Sequence, residues 1–135
     1  MNPSTFSAPH IHIRKRSPRN TPTLIQILRK NFPRWYLRLP YLFSDSLIAE
    51  HNGLTIGFVS MPMRTCTGEI GLIAVDSFSR EHGIGKILLE SALEEMRFRG
   101  MKRCVAKVRL DNPPAQRLFA SQGFKIVQLS TRHLK

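Results

Sequence analysis

The sequence contains few cysteines, few acidic residues and no long hydrophobic run, and each shortage excludes a class of protein. No apolar run approaches the roughly 20 residues that a membrane-spanning helix requires. No early segment has the apolar centre of a secretory signal. The two cysteines, Cys66 and Cys104, lack a Cys-x-x-Cys spacing and are too few for a disulfide-stabilised scaffold. We therefore expect reduced thiols in a cytoplasmic protein.

The shortage of acidic residues makes the chain strongly basic. Asp and Glu number 9 against 21 Lys and Arg, which gives a formal net charge of +12. No acid precedes Asp45, whereas basic residues stand at positions 14, 15, 16, 19, 29, 30, 34 and 38. Such a field favours anionic partners such as phosphates, RNA or a ribosome, with a solvated basic surface as the alternative. An acid-poor start is also compatible with a transit peptide, although plausible folded structure follows soon after it.

The length of 135 residues predicts one domain. We expect residues 1–10 to be a flexible arm and residues 11–135 to be the folded unit. Periodicity and turn residues predict the order β-α-α-β-β-β-α-β-α-β, an α/β class with a central mixed sheet and helices on both faces. The predicted strands lie near residues 11–13, 46–50, 54–61, 70–75, 104–110 and 124–129, and Asn52-Gly53 predicts a hairpin between the second and third.

Prolines and aromatic residues mark the N-terminal helices. Thr21-Pro22 predicts a helix start, with Thr21 as its cap and Pro22 at the first helical position. A second short helix is expected over 35–39, before Pro40. Five aromatic residues cluster here and favour either a stacking surface for bases or apolar contact with the sheet: Phe32, Trp35, Tyr36, Tyr41 and Phe43. His10 and His12 form a His-x-His pair without evident further ligands, so no metal site is predicted.

A glycine-containing turn connects the apolar strand at 70–75 to a long helix over 83–99. The free N–H groups and positive dipole at such a helix start suit a phosphate. A P-loop requires Gly-x-x-x-x-Gly-Lys-Ser/Thr, but position 80 is Arg and Ile87 follows Lys86. A dinucleotide fingerprint requires Gly-x-Gly-x-x-Gly, but Leu88 stands at its third glycine. Both readings of the turn are therefore excluded.

Residues 69–124 contain three segments whose combination is informative. The turn reads Arg80-Glu-His-Gly83-Ile-Gly85, and the strand before it ends in Ile73-Ala74-Val75-Asp76. Further on, the chain reads Asn112-x-x-Ala115-x-x-Leu118-Phe119-x-x-x-Gly123-Phe124. Together they resemble the Gln/Arg-x-x-Gly-x-Gly/Ala signature, the fourth strand and the second motif of the GCN5-related N-acetyltransferase (GNAT) superfamily. The N-terminal elements match that superfamily only in their order.

The resemblance implies a site for acetyl-CoA as co-substrate. Backbone amides at Gly83 and its neighbours would hold the pyrophosphate, and the main chain of Ile73 and Val75 would hold the pantetheine arm. In the family this strand carries a bulge and separates from the next parallel strand. The implied binding residues are Ile73, Ala74, Val75, Arg80, Glu81, His82, Gly83, Ile84, Gly85, Lys86, Asn112, Ala115, Arg117 and Leu118.

Glu69, at the start of the fourth strand, is the candidate general base, and an exposed strand-end carboxylate is the alternative. Two positions depart from the family. Phe119 stands where many members have a proton-donating Tyr, and Lys107 stands where related enzymes acting on ribosomal proteins have a Glu. Ser121 and His82 are candidate substitutes. The family usually has a seventh strand between the fifth and sixth, and too few residues follow the last predicted strand to form it. Either the last strand pairs directly with the fifth or a partner chain fills the gap, and we expect a dimer because an exposed edge invites pairing.

These features predict an N-acetyltransferase that moves an acetyl group from acetyl-CoA to a primary amine by direct attack. The alternative is a catalytically weak GNAT-like module that binds CoA or RNA. The positive charge of the chain disfavours a polyamine acceptor and favours an acidic peptide, a ribosome-bound protein or an anionic small amine.

Overall fold

The computed structural model of the chain describes residues 10–79, 82–109 and 111–125. The strands are β1 (His12–Lys15), β2 (Ser46–His51), β3 (Leu54–Ser60), β4 (Thr67–Ile70), β5 (Leu72–Val75) and β6 (Arg103–Ala106). The helices are α1 (Thr21–Asn31), α2 (Leu39–Leu42), α3 (Ile84–Phe98) and α4 (Pro113–Ser121). Short 3-10 turns lie at Pro18–Asn20, Trp35–Arg38 and Ser77–Ser79.

The strands form two groups. An antiparallel sheet has the order β1-β2-β3-β5, and β4 pairs with β6 in parallel. The predicted hairpin joins β2 to β3, where Asn52 and Gly53 have φ of +51° and +80°. Positive φ at both residues gives a type I′ turn, whose twist matches that of the strands. The antiparallel and parallel pairings together confirm the predicted mixed sheet.

Helices cover both faces of the sheet, as predicted. On one face, α3 packs against β2 and β3 through a core that includes Ile84, Leu88, Leu89, Ala92, Met96, Leu47 and Val59. On the other face, α1 and α2 pack against the same strands through Leu24, Ile27, Leu28, Leu42, Ile48 and Phe58. Burying one such side chain contributes about 1.5–3 kcal/mol, so these two layers hold the sheet in place.

The N-terminal helices match the prediction in part. Helix α1 starts at the expected segment, but the predicted cap was wrong by one residue, because Asn20 is the N-cap and Thr21 is the first helical residue. The short helix predicted before Pro40 is present as the 3-10 turn Trp35–Arg38, and the further helix α2, which was not predicted, follows it and contains Pro40 near its start. Proline is tolerated there because the first N–H groups of a helix have no partner within it. Three of the clustered aromatics, Phe32, Trp35 and Tyr41, pack against the core, whereas Tyr36 and Phe43 are exposed.

The strand predicted over 70–75 is interrupted at Gly71. Up to Ile70 the segment pairs with β6, and from Leu72 it pairs with β3. β6 ends at Ala106, earlier than the predicted 104–110. Most of the predicted last strand, 124–129, and of the N-terminal arm lies outside the described residues, and both stay predictions.

Candidate functional site

An open groove lies where β5 meets the start of α3. It has a volume of about 400 Å³ and is lined by Val75, Gly83, Ile84, Gly85, Lys86, Pro114 and Leu118. Strand β5 supplies one wall, the first turn of α3 a second, and α4 the third. The lining is apolar except at the helix start and Lys86, which suits a ligand with an apolar arm and an anionic group.

The helix start that borders the groove is set by Gly83. This residue is the N-cap of α3 with φ of +74°, and no side chain caps the helix. Glycine adopts this left-handed conformation without the steric penalty of a Cβ atom. The first N–H groups of α3 lack intrahelical partners and carry the positive end of the helix dipole. Backbone geometry and the exposed Lys86 therefore make this end of the groove attractive to an anion.

The outer edge of β5 forms the wall of the groove. Asp76 N–H donates to Ile56 O at 2.7 Å, so the strand alternation directs the N–H groups of Ile73 and Val75 away from β3. Consistent with this, the Val75 carbonyl accepts a hydrogen bond of 3.3 Å from Asn31 Nδ2 rather than from β3. Among the described strands none pairs with this edge of β5. The edge therefore presents backbone donors to a ligand.

The groove opens because β4 and β5 pair with different strands, β4 with β6 and β5 with β3. β6 follows β4 in parallel from Thr67 to Ile70 and ends opposite that point, so it does not cover β5. The family resemblance implied such a separation, and the break at Gly71 produces it. A gap in backbone pairing therefore lies beside the helix start.

Glu69 lies beside this break, on the face of β4 that points away from α3. Gly68 and Ile70 point toward α3, since a Cβ at Gly68 would meet Met96 and Ile70 is buried in the α3 core. Strand alternation puts Glu69 on the opposite face, which α2 approaches. The Glu69 N–H donates to Pro62 O at 2.9 Å, which fixes its backbone.

Glu69 acts electrostatically on two neighbouring side chains. Burial raises the pKa of the Tyr41 phenol, and Glu69 raises it further through its charge and a hydrogen bond, while Arg38 opposes the shift. Burial raises the pKa of the Cys104 thiol to about 11, with a smaller contribution from the charge of Glu69. A partly buried carboxylate and a phenol therefore lie together at the break, and Cys104, the register partner of Gly68, lies on the opposite face of the β4–β6 pair.

Helix α4 completes the groove but supplies no hydroxyl at the expected position. Asn112 Oδ1 accepts from Ala115 N–H at 3.3 Å and so caps α4. Phe119 packs edge-to-face on Phe124, with ring centroids 5.0 Å apart. The Ser121 hydroxyl donates to Leu118 O at 2.6 Å. The part of α4 that faces the groove is consequently apolar.

The structure brings together only some of the predicted binding residues. Those that line the groove are Val75, Gly83, Ile84, Gly85, Lys86 and Leu118. Ile73 does not line the groove, although its N–H lies on the same outer edge of β5 as that of Val75, and the Ala74 side chain is buried in the α1 core. Others lie apart from the lining: His82 and Arg117, both exposed, together with Asn112 and Ala115. Arg80 and Glu81 lie outside the described residues.

Sequence reasoning missed two residues at the site. Pro114 lines the groove from the first turn of α4. The Pro-Pro pair that starts α4 was a usable signal for it, because prolines concentrate in first helical turns. Tyr41 lies 28 positions before Glu69, and no local pattern connects the two.

The chain resembles the proteins of one known family. The sequence pattern of the acetyltransferase (GNAT) family matches residues 14–124. The chain belongs to the GNAT family. This confirms the resemblance seen in the turn at 80–85 and in the segment at 112–124.

Individual GNAT relatives share part of the sequence or the fold. A mycothiol acetyltransferase of Thermomonospora curvata is 33% identical over 78 residues, which are 57% of this chain and 26% of that protein. The chain spans about a quarter of the length of the curated relatives it matches.

Solved GNAT structures share its fold. The ribosomal-protein-S18-alanine N-acetyltransferase of Escherichia coli has a TM-score of 0.80 at 22% identity, covering 88% of this chain and 80% of that one. The aminoglycoside N-acetyltransferase AAC(6')-Iy in complex with CoA has a TM-score of 0.76 at 17% identity, covering 93% of this chain and 95% of that one.

A search of the helices in the described ranges found none with the length and hydropathy of a membrane span.

Proposed function

We propose that this GNAT chain is an N-acetyltransferase that uses acetyl-CoA as co-substrate and acetylates a primary amine. The observation that carries the proposal is the groove itself. A helix start suited to an anion and an unpaired strand edge meet at the groove, and the Glu69 carboxylate lies beside the strand break at the other end of that edge. The match of the family over residues 14–124 supports the same reaction.

The lining residues fit the chemical parts of CoA. N–H groups at the start of α3, with Lys86, would hold the pyrophosphate, since they combine free donors with positive charge. The outward N–H groups of Ile73 and Val75 would hold the amides of the pantetheine arm. Ile84, Pro114 and Leu118 offer apolar contact along the groove. Acetyl-CoA supplies an activated acetyl group, and the chain has to bind it, orient the acceptor and remove a proton.

Glu69 is the proposed proton acceptor. An amine in its ammonium form has no lone pair for attack, so one proton must leave before the N–C bond forms. The Glu69 carboxylate would take that proton directly or through water. The leaving group is a thiolate, whose parent thiol has a pKa of about 8.5 in water. Departure therefore needs little help from an acid, which is consistent with Phe119 at the position of the family's Tyr.

The surroundings of Glu69 favour an acceptor that carries negative charge near its amine. Val105 is its partner in the parallel register, and the exposed Arg103 lies on the same face. Exposed Lys107 continues this alternation just beyond β6. An acidic peptide N-terminus, including one on a ribosomal protein, or a small anionic amine would match these cations better than a polyamine.

Acetyl transfer to a panel of amines and peptide N-termini tests the proposal. We expect acetylated product from an anionic acceptor, detected by mass spectrometry because the exposed Cys66 reacts with thiol reagents. Glu69→Gln should lower kcat by roughly 10²-fold or more. Glu94→Gln, the same change at an exposed position of α3, is the matched control and should leave kcat unchanged. Equal rates for both variants would exclude Glu69 as the base.

A second candidate function is binding of CoA or RNA with little turnover. It is favoured by the apolar Phe119–Phe124 contact, which leaves the usual acid position without a hydroxyl, and by the net charge of +12. CoA binding without product from any amine would support a CoA-binding module. RNA binding whose affinity falls steeply with salt would support a nucleic-acid partner.

A further inference from the structure

The Tyr41 ring is seated directly on the backbone of Gly71. A Cβ atom at Gly71 would lie 2.6 Å from Ser60 Oγ and closer still to two ring carbons of Tyr41. Only a residue without a side chain leaves room for this ring. Gly71 N–H donates to Ser60 O at 2.9 Å, which holds the peptide under the ring. The Tyr41 ring can therefore lie against the strand break only because residue 71 is a glycine.

The same arrangement brings the Tyr41 hydroxyl to Glu69. Glu69 stands two residues before Gly71 and points to the face that Tyr41 occupies, and its charge helps to raise the pKa of the Tyr41 phenol. Tyr41 is about half-buried and packs against the α1 core, so its ring has a fixed support. Among the described residues, Arg38 acts on the Tyr41 phenol through its charge, and Ser60 Oγ lies close to Gly71 beneath the ring. Cys104 is influenced by the charge of Glu69 from the opposite face of the β4–β6 pair.

We infer that Tyr41 is the positioning residue for Glu69. Its hydroxyl donates to one carboxylate oxygen and leaves the other oxygen free to receive a proton from the acceptor amine at the strand break. This inference rests on the proposed acetyl transfer. In the balanced step, Glu69 takes one proton from the ammonium, the amine lone pair forms the N–C bond, and the C–S bonding pair leaves on sulfur. The acylated nitrogen then gives its surplus proton to the departing thiolate, so the products are the amide and the CoA thiol.

A phenol beside Glu69 has a different role from the Tyr that Phe119 replaces in the second motif. The chain has two tyrosines, Tyr36 and Tyr41. Tyr36 is 55% exposed and stacks edge-to-face on Trp35. Tyr41 is therefore the phenol that lies beside Glu69, and α2 rather than α4 supplies it. It orients the base and does not protonate the leaving sulfur.

A spectroscopic titration tests the pair without any need for activity. In a Tyr36→Phe background, Tyr41 is the sole tyrosine, and its ionisation is followed by phenolate absorbance while circular dichroism reports folding. Removing the charge of Glu69 with Glu69→Gln should lower the Tyr41 midpoint, because a neighbouring negative charge opposes formation of phenolate. Glu94→Gln should leave the midpoint in place. Equal midpoints in all three chains would overturn the inference.

Steady-state kinetics tests the consequence for catalysis. Tyr41→Phe keeps the ring on Gly71 and removes only the hydroxyl. We expect kcat to fall on the order of tenfold while KM for acetyl-CoA stays unchanged, because the base is misoriented and the groove is intact. Tyr36→Phe is the matched control and should keep the wild-type kcat. A wild-type kcat in Tyr41→Phe refutes this inference, whereas failure of the wild-type chain to acetylate any amine refutes the proposed function.

Discussion

Replacement of Gly71 by Ala tests the contact on which the site is built. The added Cβ would lie 2.6 Å from Ser60 Oγ and nearer to the Tyr41 ring, well inside van der Waals contact. Neither neighbour is the far end of a flexible chain, because Ser60 is fully buried and the Tyr41 ring packs on the core. Something in this arrangement must move.

The expected cost follows from overpacking in a core, which is typically about 1–3 kcal/mol. For a domain of this size each kcal/mol lowers Tm by roughly 4 °C. Urea unfolding of Gly71→Ala should therefore show a lower free energy of unfolding with an unchanged m-value, and a Tm lower by roughly 4–12 °C. Displacement of Tyr41 should also lower kcat.

Gly85→Ala is the matched control. Its Cβ would meet only Leu118 Cδ2, at 3.8 Å, which is ordinary contact. Alanine is favoured over glycine in a helix by about 0.5–1 kcal/mol, so this variant should be as stable as wild type or more stable. Gly71→Ala should therefore lower the free energy of unfolding, whereas Gly85→Ala should leave it unchanged or raise it.

A double-mutant cycle decides whether Tyr41 is the group that is displaced. In a Tyr41→Ala background the ring is gone, and Gly71→Ala should cost less than it does in the wild-type chain. The reasoning is refuted if Gly71→Ala is as stable as wild type, or if its cost is identical in both backgrounds.

Three further predictions concern other parts of the fold. Gly83→Ala should cost about 1–2 kcal/mol through its left-handed backbone alone, since a Cβ there meets nothing within 4 Å, and calorimetry should show weaker CoA binding. A hydrogen bond from Arg14 lowers the pKa of Glu50, so this pair stabilises the fold above the ordinary pKa of Glu, and its contribution is lost as the pH falls through the folded-state value. Glu50→Gln should therefore be slightly less stable than wild type at neutral pH and equal to it in acid. Because the pKa of Cys104 is about 11, iodoacetamide at pH near 8 should modify Cys66 first, and Cys66→Ser should remove the fast phase seen by mass spectrometry.

Local sequence signals account for much of the fold. Asn52-Gly53 determines its hairpin because both residues tolerate positive φ. The helix over 83–99 is visible in its broad apolar face and in the glycine at each end, and α3 runs from Ile84 to Phe98. Most of the groove lining was predictable as well, because the Gly83-Ile-Gly85 turn lies next to its own strand in the sequence.

Some features of the fold and of the site could not be predicted from the sequence, because they depend on long-range contacts. The segment 70–75 is continuously apolar, and nothing local shows that its partner changes from β6 to β3 at Gly71. Tyr41 reaches Glu69 only because α2 packs on the sheet, so the pair has no sequence signature. Pro40 reads as a helix stop in isolation, but its place in α2 depends on where the preceding 3-10 turn ends.

β4 pairs with β6, whereas β5, the next strand in the same segment, pairs with β3. This change of partner has a consequence for amide hydrogen exchange. β5 makes its backbone bonds on one side only within the described strands, so its outward amides exchange with solvent in the free protein. A pantetheine arm lying along that edge would occupy the place of a missing strand. Ligand binding would then appear as slower exchange at Ile73 and Val75, with the amides bonded to β3 hardly changed, and the bound molecule would be a structural member of the sheet as well as a reactant.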